Sequence, residues 1–579
     1  MHRCLLVPDI FARVLDFVEV ELPEHFYSAY NQGQWRNRSL ARLARTCHAF
    51  KEPSLNVLWK NQFTLAPLVK TLPEDAWDEN IKRPLTSSDW TRFDYYAGRI
   101  QSLGYLDCEF ADEEGVNWKM PNVTTCERPV NSTIIAHIAR YRPRRWLLPN
   151  LVRIRWAAHN YEYTDYLPLF LGPRLKTLAI AVGPHDQWLD PDQYKPEVLC
   201  SILEAIPASC PSCTGIEIEP DHDLSVIEAA DVLAGTNDNL EVFTVDGSRC
   251  CSMQDMYVDY LSKKPHLRKV WLGFYADTLA SLQSLWAANA YPFSSLSNLS
   301  IMVCRLQVCT EFLTLLRQCR LVNITVEVKC RPKAAEIHAF YDTLQRRCAR
   351  NTLLMCRLLQ DIIHTCEEYS NDSDILSDPV HRVGMDELAP ALHFPHLRYF
   401  ILNVPVLGYF VDEDIMRMAD AWPGMIAFSL VGGCGGGPVL RNPVTWKGVG
   451  YLVSRCTQLA DIKIAFDTTS DNVEEITRLP DFRPNHWMRF LNVLDSTLSN
   501  DSEHFARSLF AIAPRIVRVF ADGWTDDPDG PLQMDPYAFC EQLEIIMCML
   551  RKMYMSDVYD LNELGDDVTN HTKEWNAWG

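Results

Sequence analysis

Four groups of residues have types and spacings that suggest chemistry, and each lacks a partner that the chemistry needs. The run Gly432-Gly433-Cys434-Gly435-Gly436-Gly437-Pro438 has the composition of a phosphate cradle. A cradle needs Gly-Lys-Ser/Thr opening a helix, or Gly-x-Gly-x-x-Gly spacing, and Pro438 and Val439 follow instead. The run reads as a strand-to-helix turn. Cys210-Pro211-Ser212-Cys213 has the spacing of half a metal or redox site, but no second pair follows at ligand distance. Cys250-Cys251 lacks one too. The 16 histidines include no His-Glu-x-x-His, and no Gly-x-Ser-x-Gly elbow occurs. Asp526-Asp527-Pro528-Asp529-Gly530 lacks the closing glutamate of a calcium loop and reads as a turn. The expectation is a chain that is not an enzyme and takes no metal or cofactor.

What remains for function is a surface, and a repeated pattern must build it. An apolar residue, two others, an apolar, one other and an apolar recur along the chain. Examples are Leu151-x-x-Ile154-x-Trp156, Leu175-x-x-Leu178-x-Ile180, Cys213-x-x-Ile216-x-Ile218 and Leu240-x-x-Phe243-x-Val245. Leu267, Leu296 and Leu321 begin three more, and the starts from Leu240 to Leu321 are 27, 29 and 25 residues apart. That is the ~20–29-residue period of leucine-rich repeats. After a gap the pattern resumes at Leu397, Met425, Leu459 and Ile516.

Each triplet predicts a short strand whose outer apolar pair points inward and whose intervening residues point the other way. A return helix such as Pro196 to Ile206 packs behind it, and since one repeat cannot bury its own apolar side, the repeats must stack. In this register Arg153, Arg155, Glu217, Glu219, Asp246, Lys269, Trp271, Tyr399, Asp461 and Lys463 lie on the opposite, concave face. Exposed aromatics favour a partner. Arg155, Glu217, Lys269, Trp271 and Tyr399 are therefore the candidate substrate-binding residues. The Asn or Cys expected three residues past the last strand apolar is mostly missing, with Gly183, Ser248 and Tyr275 in three such places, so the repeats are degenerate.

The first sixty residues carry a different periodicity. Ile10, Val14 and Phe17 recur at helical spacing after Pro8, with Leu15 and Val18 widening the face. Leu40, Leu43, Ala44, Cys47 and Phe50 mark a second amphipathic helix, which Pro53 is expected to break, with Leu55, Leu58 and Trp59 restarting an apolar face. Val7-Pro8-Asp9-Ile10 with Val14, then Leu43-Ala44-Arg45-Thr46-Cys47, then Leu58-Trp59, resembles the F-box motif. Val7 stands where that family has Leu, and residues 19–38 are an insertion. Asp89-Trp90-x-x-Phe93-x-x-Tyr96-Ala97-x-Arg99-Ile100 resembles a segment that recurs after the F-box in fungal members, and a helix is expected over Ser88–Ile100. The resemblance implies docking on a Skp1-type adaptor, and through it a cullin, by Leu6, Pro8, Ile10, Val14, Leu15, Leu40, Leu43 and Cys47, some of which must pack inside the module. It also implies that the remainder recruits a protein substrate.

Composition bounds the alternatives. The 579 residues are 47% hydrophobic and carry a net charge of −20, which argues against nucleic acid and anionic membrane surfaces. Twenty cysteines without a signal peptide read as reduced thiols in cytoplasm or nucleus. The fold class expected is α/β, a three-helix F-box-like module followed by a degenerate leucine-rich-repeat solenoid with a curved parallel sheet. The divisions are 1–62 for the helical module, 63–148 for a helical linker or cap, 149–530 for the solenoid with an acidic insertion near 365–380, and 531–579 for a capping helix and acidic tail. Helices are also expected over Ala334–Ile363, Pro484–Ser499 and Cys540–Leu550. The function expected is a noncatalytic substrate receptor of a Skp1–cullin–F-box type ubiquitin ligase. Its rivals are a repeat scaffold without a ligase role and an α/β hydrolase or transferase with degenerate motifs.

Overall fold

A computed structural model describes residues 11, 13–15, 39–62, 64–76, 82–106, 130, 132–158, 161–182, 196–220, 224–245, 255–274, 276–286, 292–316, 320–360, 379–404, 410–432, 444–469, 473–478, 480–494, 496, 501–520, 545–550 and 552–553. The glycine-rich loop beyond Gly432, the acidic run Glu367–Asp374, Asp526–Gly530, Cys250-Cys251, Gly183, Ser248, Tyr275 and the acidic tail lie outside these. The chain divides into two compact units, Met1–Cys250 and Cys251–Glu574.

In the first unit, strands β1 (Asn61–Gln62), β2 (Ser102–Leu106), β3 (Arg153–Ala158), β4 (Thr177–Val182), β5 (Gly215–Pro220) and β6 (Val242–Val245) pair in chain order, all parallel. The second unit repeats the scheme with β7 (Lys269–Phe274), β8 (Asn298–Val303), β9 (Asn323–Val328), β10 (Met355–Gln360), β11 (Tyr399–Val404), β12 (Ala427–Gly432), β13 (Asp461–Ile464), β14 (Phe490–Asn492) and β15 (Arg518–Phe520). Parallel neighbours require a crossover, and most of those described are helices: Pro196–Ser209, for instance, connects β4 to β5. Sequential parallel order with helical returns is the α/β repeat architecture that the triplets predict.

The triplets set the register. Leu178, Ile180, Ile216, Ile218, Phe243 and Val245 are buried on one side of the first sheet, and Leu199, Leu203 and Ile206 of the return helix are buried as well. The first residue of each triplet (Leu151, Leu175, Cys213, Leu240, Leu267, Leu296, Leu321) is also buried, just ahead of its strand. Behind it, one carbonyl per turn takes two N–H groups from the next turn. The Val152 carbonyl accepts from Lys176 and Thr177, that of Val322 from Leu354 and Met355, and that of Arg398 from Ile426 and Ala427. This satisfies backbone donors where the strand has not yet begun.

Four expectations need correction. The interval before Leu397 holds a whole repeat rather than one long helix: helix Ala334–Arg347 ends, and β10 follows from Leu353-x-x-Cys356-x-Leu358. Within 484–499 the chain forms β14 from Met488-x-x-Leu491-x-Val493, not a helix. Strands β1 and β2 precede the first triplet that periodicity identifies. Finally, Pro53 does not break its helix, which runs unbroken over His48–Lys60. The break falls at 45–47, where the Thr46 hydroxyl donates to the Leu43 carbonyl and Cys47 is fully extended. Helix Trp90–Ala97 lies within the expected span, and no described helix is long and apolar enough to cross a membrane.

Candidate functional site

The N-terminal helical residues form a small core of their own. Phe11, Leu15, Leu40 and Phe50 are buried together, Leu43, Cys47, Val57 and Leu58 pack on them, and the Phe11 and Phe50 rings stack at 4.3 Å. Leu15 and Leu40 are thus interior, Leu43 and Cys47 half-buried, and Val14 is left 40% exposed. Leu6, Pro8 and Ile10 lie outside the described residues.

Helix His48–Lys60 is fastened to helix Trp90–Ala97. Trp59 stacks on Tyr96 at 4.3 Å, the Tyr95 hydroxyl donates to Glu52 at 2.7 Å, and the Arg99 guanidinium bridges Glu52 and Asn56 while lying over the Tyr95 ring. Hydrogen bonds from Tyr95 and Arg99 hold the Glu52 carboxyl below its usual value, and the same bond raises the Tyr95 phenol. Asp89, at the helix start, does not cap it. Its carboxylate accepts from Arg83 at 2.7 and 3.1 Å, and from the Thr86 N–H and hydroxyl. These contacts are architectural.

The substrate-binding candidates fall on both units. Arg155 is exposed on β3 and Glu217 half-buried on β5, two strands away, and each has an interaction of its own. Lys269 and Trp271 share β7, while Tyr399 is four strands along, roughly 19 Å at the ~4.8 Å strand spacing. Trp271 is not an exposed aromatic: it keeps 7% of its surface, because its ring lies where a Cβ on Gly273 would otherwise be, 2.8 Å from the ring edge. The indole folds flat along its own strand. Arg153 and Asp461 are exposed and Lys463 is half-buried, while Asp246 lies outside the described residues.

Sequence reasoning missed a residue with unsatisfied chemistry on this face. Arg357 sits in the middle of β10, whose alternate residues Cys356, Leu358 and Gln360 are buried while Met355, Arg357 and Leu359 stay half-exposed. Its Nε is fully buried and has no hydrogen-bond partner. Among the described residues the guanidinium enters no ion pair. Burial lowers its pKa, opposed only by Tyr399 on the neighbouring strand. The signal was present in Leu353-x-x-Cys356-x-Leu358, which would have put Arg357 on the open face.

Cys210 and Cys213 are both buried, and burial pushes their thiols up to about 12 and about 11. The Cys213 thiol donates to the Gly215 carbonyl at 3.4 Å. They pack as small apolar residues. No group of three metal-ligating side chains converges among the described residues.

Comparison with known proteins adds no family. No family model matches the chain, and no curated protein matches it.

Proposed function

We propose that this chain is a noncatalytic substrate receptor of a Skp1–cullin–F-box type ubiquitin ligase. Its N-terminal helices dock the adaptor, and its repeat sheet recruits a protein substrate. Transfer of ubiquitin falls to other subunits, and the receptor supplies proximity and orientation. The observation that carries the reading is the arrangement of the motif-bearing helices. Phe11, Leu15, Leu40 and Phe50 close a core too small to stand alone, and Val14, beside Leu15, is left at the surface. An exposed valine on so small a module suits a helical partner. Trp59 and the Glu52–Tyr95–Arg99 cluster fix the module's third helix to helix Trp90–Ala97, as a receptor that must hold substrate at a set distance requires.

The test is a pull-down of purified Skp1-type adaptor with the intact chain, with Val14→Asp and with Pro8→Ala/Ile10→Asp. Val14 is exposed, so the new carboxylate leaves the fold intact, as circular dichroism would verify, but would be buried unpaired in a docked complex. Retention by the intact chain and loss in the folded variants supports the reading. No retention by the intact chain rejects it in favour of a repeat scaffold without a ligase role.

A further inference from the structure

We propose that Arg357 is the anchor of a carboxylate-binding subsite on the open sheet face of the second unit, which takes an aspartate or glutamate side chain from an extended segment of a partner protein. This rests on the reading of the repeat face as the recruiting surface.

The argument starts from a mismatch. A surface arginine ordinarily lays its stem on apolar neighbours and keeps its guanidinium in water. Arg357 has its Nε fully buried without a partner, an arrangement that costs about as much as a lost hydrogen bond and is not offset within the described residues. Several other polar groups of the face are engaged. Lys269, Glu327 and Lys463 each have interactions of their own, and Asn323 donates its amide to Asn298 at 2.5 Å.

Its surroundings define what it would accept. By register Thr325 and Ile401 flank it across the sheet, and Met355 and Leu359 lie two residues either way along β10. The closed Nε leaves the two terminal nitrogens as the reachable edge of the guanidinium, and a single carboxylate can take one N–H from each. A phosphate, with nearly two charges, calls for more than one cation, and the four flanking residues supply none. A nucleic-acid strand calls for a row of cations, and the residues that flank Arg357 by register supply none.

The experiment uses the full chain and a fluorescein-labelled twelve-residue peptide of repeated Glu-Leu-Ser, followed by fluorescence polarisation at low salt. The expected result is saturable binding that a Gln-Leu-Ser peptide does not reproduce. It should weaken about ten- to a hundred-fold in Arg357→Gln, less in Arg357→Lys, and not at all in Arg346→Gln, whose partner is Asp342 on a helix. Should Arg357→Gln misfold, phenylglyoxal labelling of Arg357 in the wild-type protein, mapped by mass spectrometry, must be slowed by the Glu peptide and not by the Gln peptide. No binding, equal binding by Arg357→Gln, or absence of protection overturns the proposal. So does Arg357-dependent binding of a twelve-residue deoxythymidine strand in place of the peptide. The adaptor pull-down runs alongside: peptide binding without adaptor binding overturns the ligase reading alone, and adaptor binding without peptide binding overturns the subsite alone.

Discussion

Trp59 stacks on Tyr96 with ring centroids 4.3 Å apart, joining the last helix of the N-terminal module to helix Trp90–Ala97. Both rings are half-buried, so each gives up only part of its surface to water when the partner is lost. Trp59→Ala should therefore loosen the junction by about 2 kcal/mol, less than for a core tryptophan. Hydrogen exchange followed by mass spectrometry should show protection of His48–Lys60 falling about thirty-fold, with strands β7–β9 unchanged. Equal loss everywhere would mean that the pair stabilises the whole chain and not this junction.

A second contact ties repeats together through a carboxylate. Asp412, at the start of helix Asp412–Ala421, accepts from the Thr445 N–H at 2.7 Å, from the Thr445 hydroxyl at 2.6 Å and from the Gly448 N–H at 2.9 Å. It thus satisfies orphan donors at the start of the neighbouring helix Trp446–Arg455. Gly448 is required by this approach, since a Cβ there would lie 2.5 Å from the Asp412 carboxylate. Gly448→Ala and Asp412→Ala should each cost about 2 kcal/mol, and the double variant little more than either single one, because both remove the same bonds. Chemical denaturation of the four proteins tests this, and simple additivity would refute it.

Asp89 should make stability depend on acid. Bonds from Arg83 and Thr86 hold its carboxyl well below the usual carboxylate range, and Arg83 lowers Asp75 in the same direction. A carboxylate depressed in the folded state contributes its stability above the unfolded value, ~3.9, and loses it as pH falls through the folded value. The gap in melting temperature between wild type and Asp89→Asn should therefore be constant from pH 7 to about 5 and shrink below about 4. A gap that widens in acid would contradict the assignment.

The repeats were legible where apolar residues, most often Leu or Ile, spelled the triplet at a regular spacing. Strand β10 escaped because Leu354, Met355 and Leu359 are apolar as well, which erases the alternation and imitates a buried helix. Losing β10 meant losing Arg357, since a residue placed on a helix has no sheet face. Trp271 was assigned to the right strand, yet its exposure depended on Gly273 two residues on, a contact that period-2 reasoning does not register. Strand β1 is two residues long and is defined only by its pairing to β2. No local pattern could announce it. Pro53 shows the reverse case, a strong local breaker inside an uninterrupted helix whose residues Phe50 and Leu55 are held by burial.

Strand β14 was hidden by a polar residue doing a core residue's work, and that residue offers the sharpest test of the repeat register. Asn485 is 3% exposed, three residues ahead of the buried Met488. Its amide nitrogen donates to the carbonyls of Val453, Cys456 and Leu459 at 3.0–3.3 Å, and its amide oxygen accepts from the N–H groups of Trp487 and Met488. One side chain thus closes the end of helix Trp446–Arg455 and starts the turn into β14. Asn485→Leu matches the size but satisfies none of these groups, and buried orphans cost about 1–3 kcal/mol each. The expected loss is about 3–5 kcal/mol. Asn485→Asp should fare nearly as badly, because a carboxylate cannot donate to three carbonyls. Urea denaturation with exchange mapping should find the deficit concentrated in residues 446–494. If Asn485→Leu were as stable as wild type, Asn485 would be filling space and not closing the turn, and the hydrogen-bonded start of β14 would have to be abandoned.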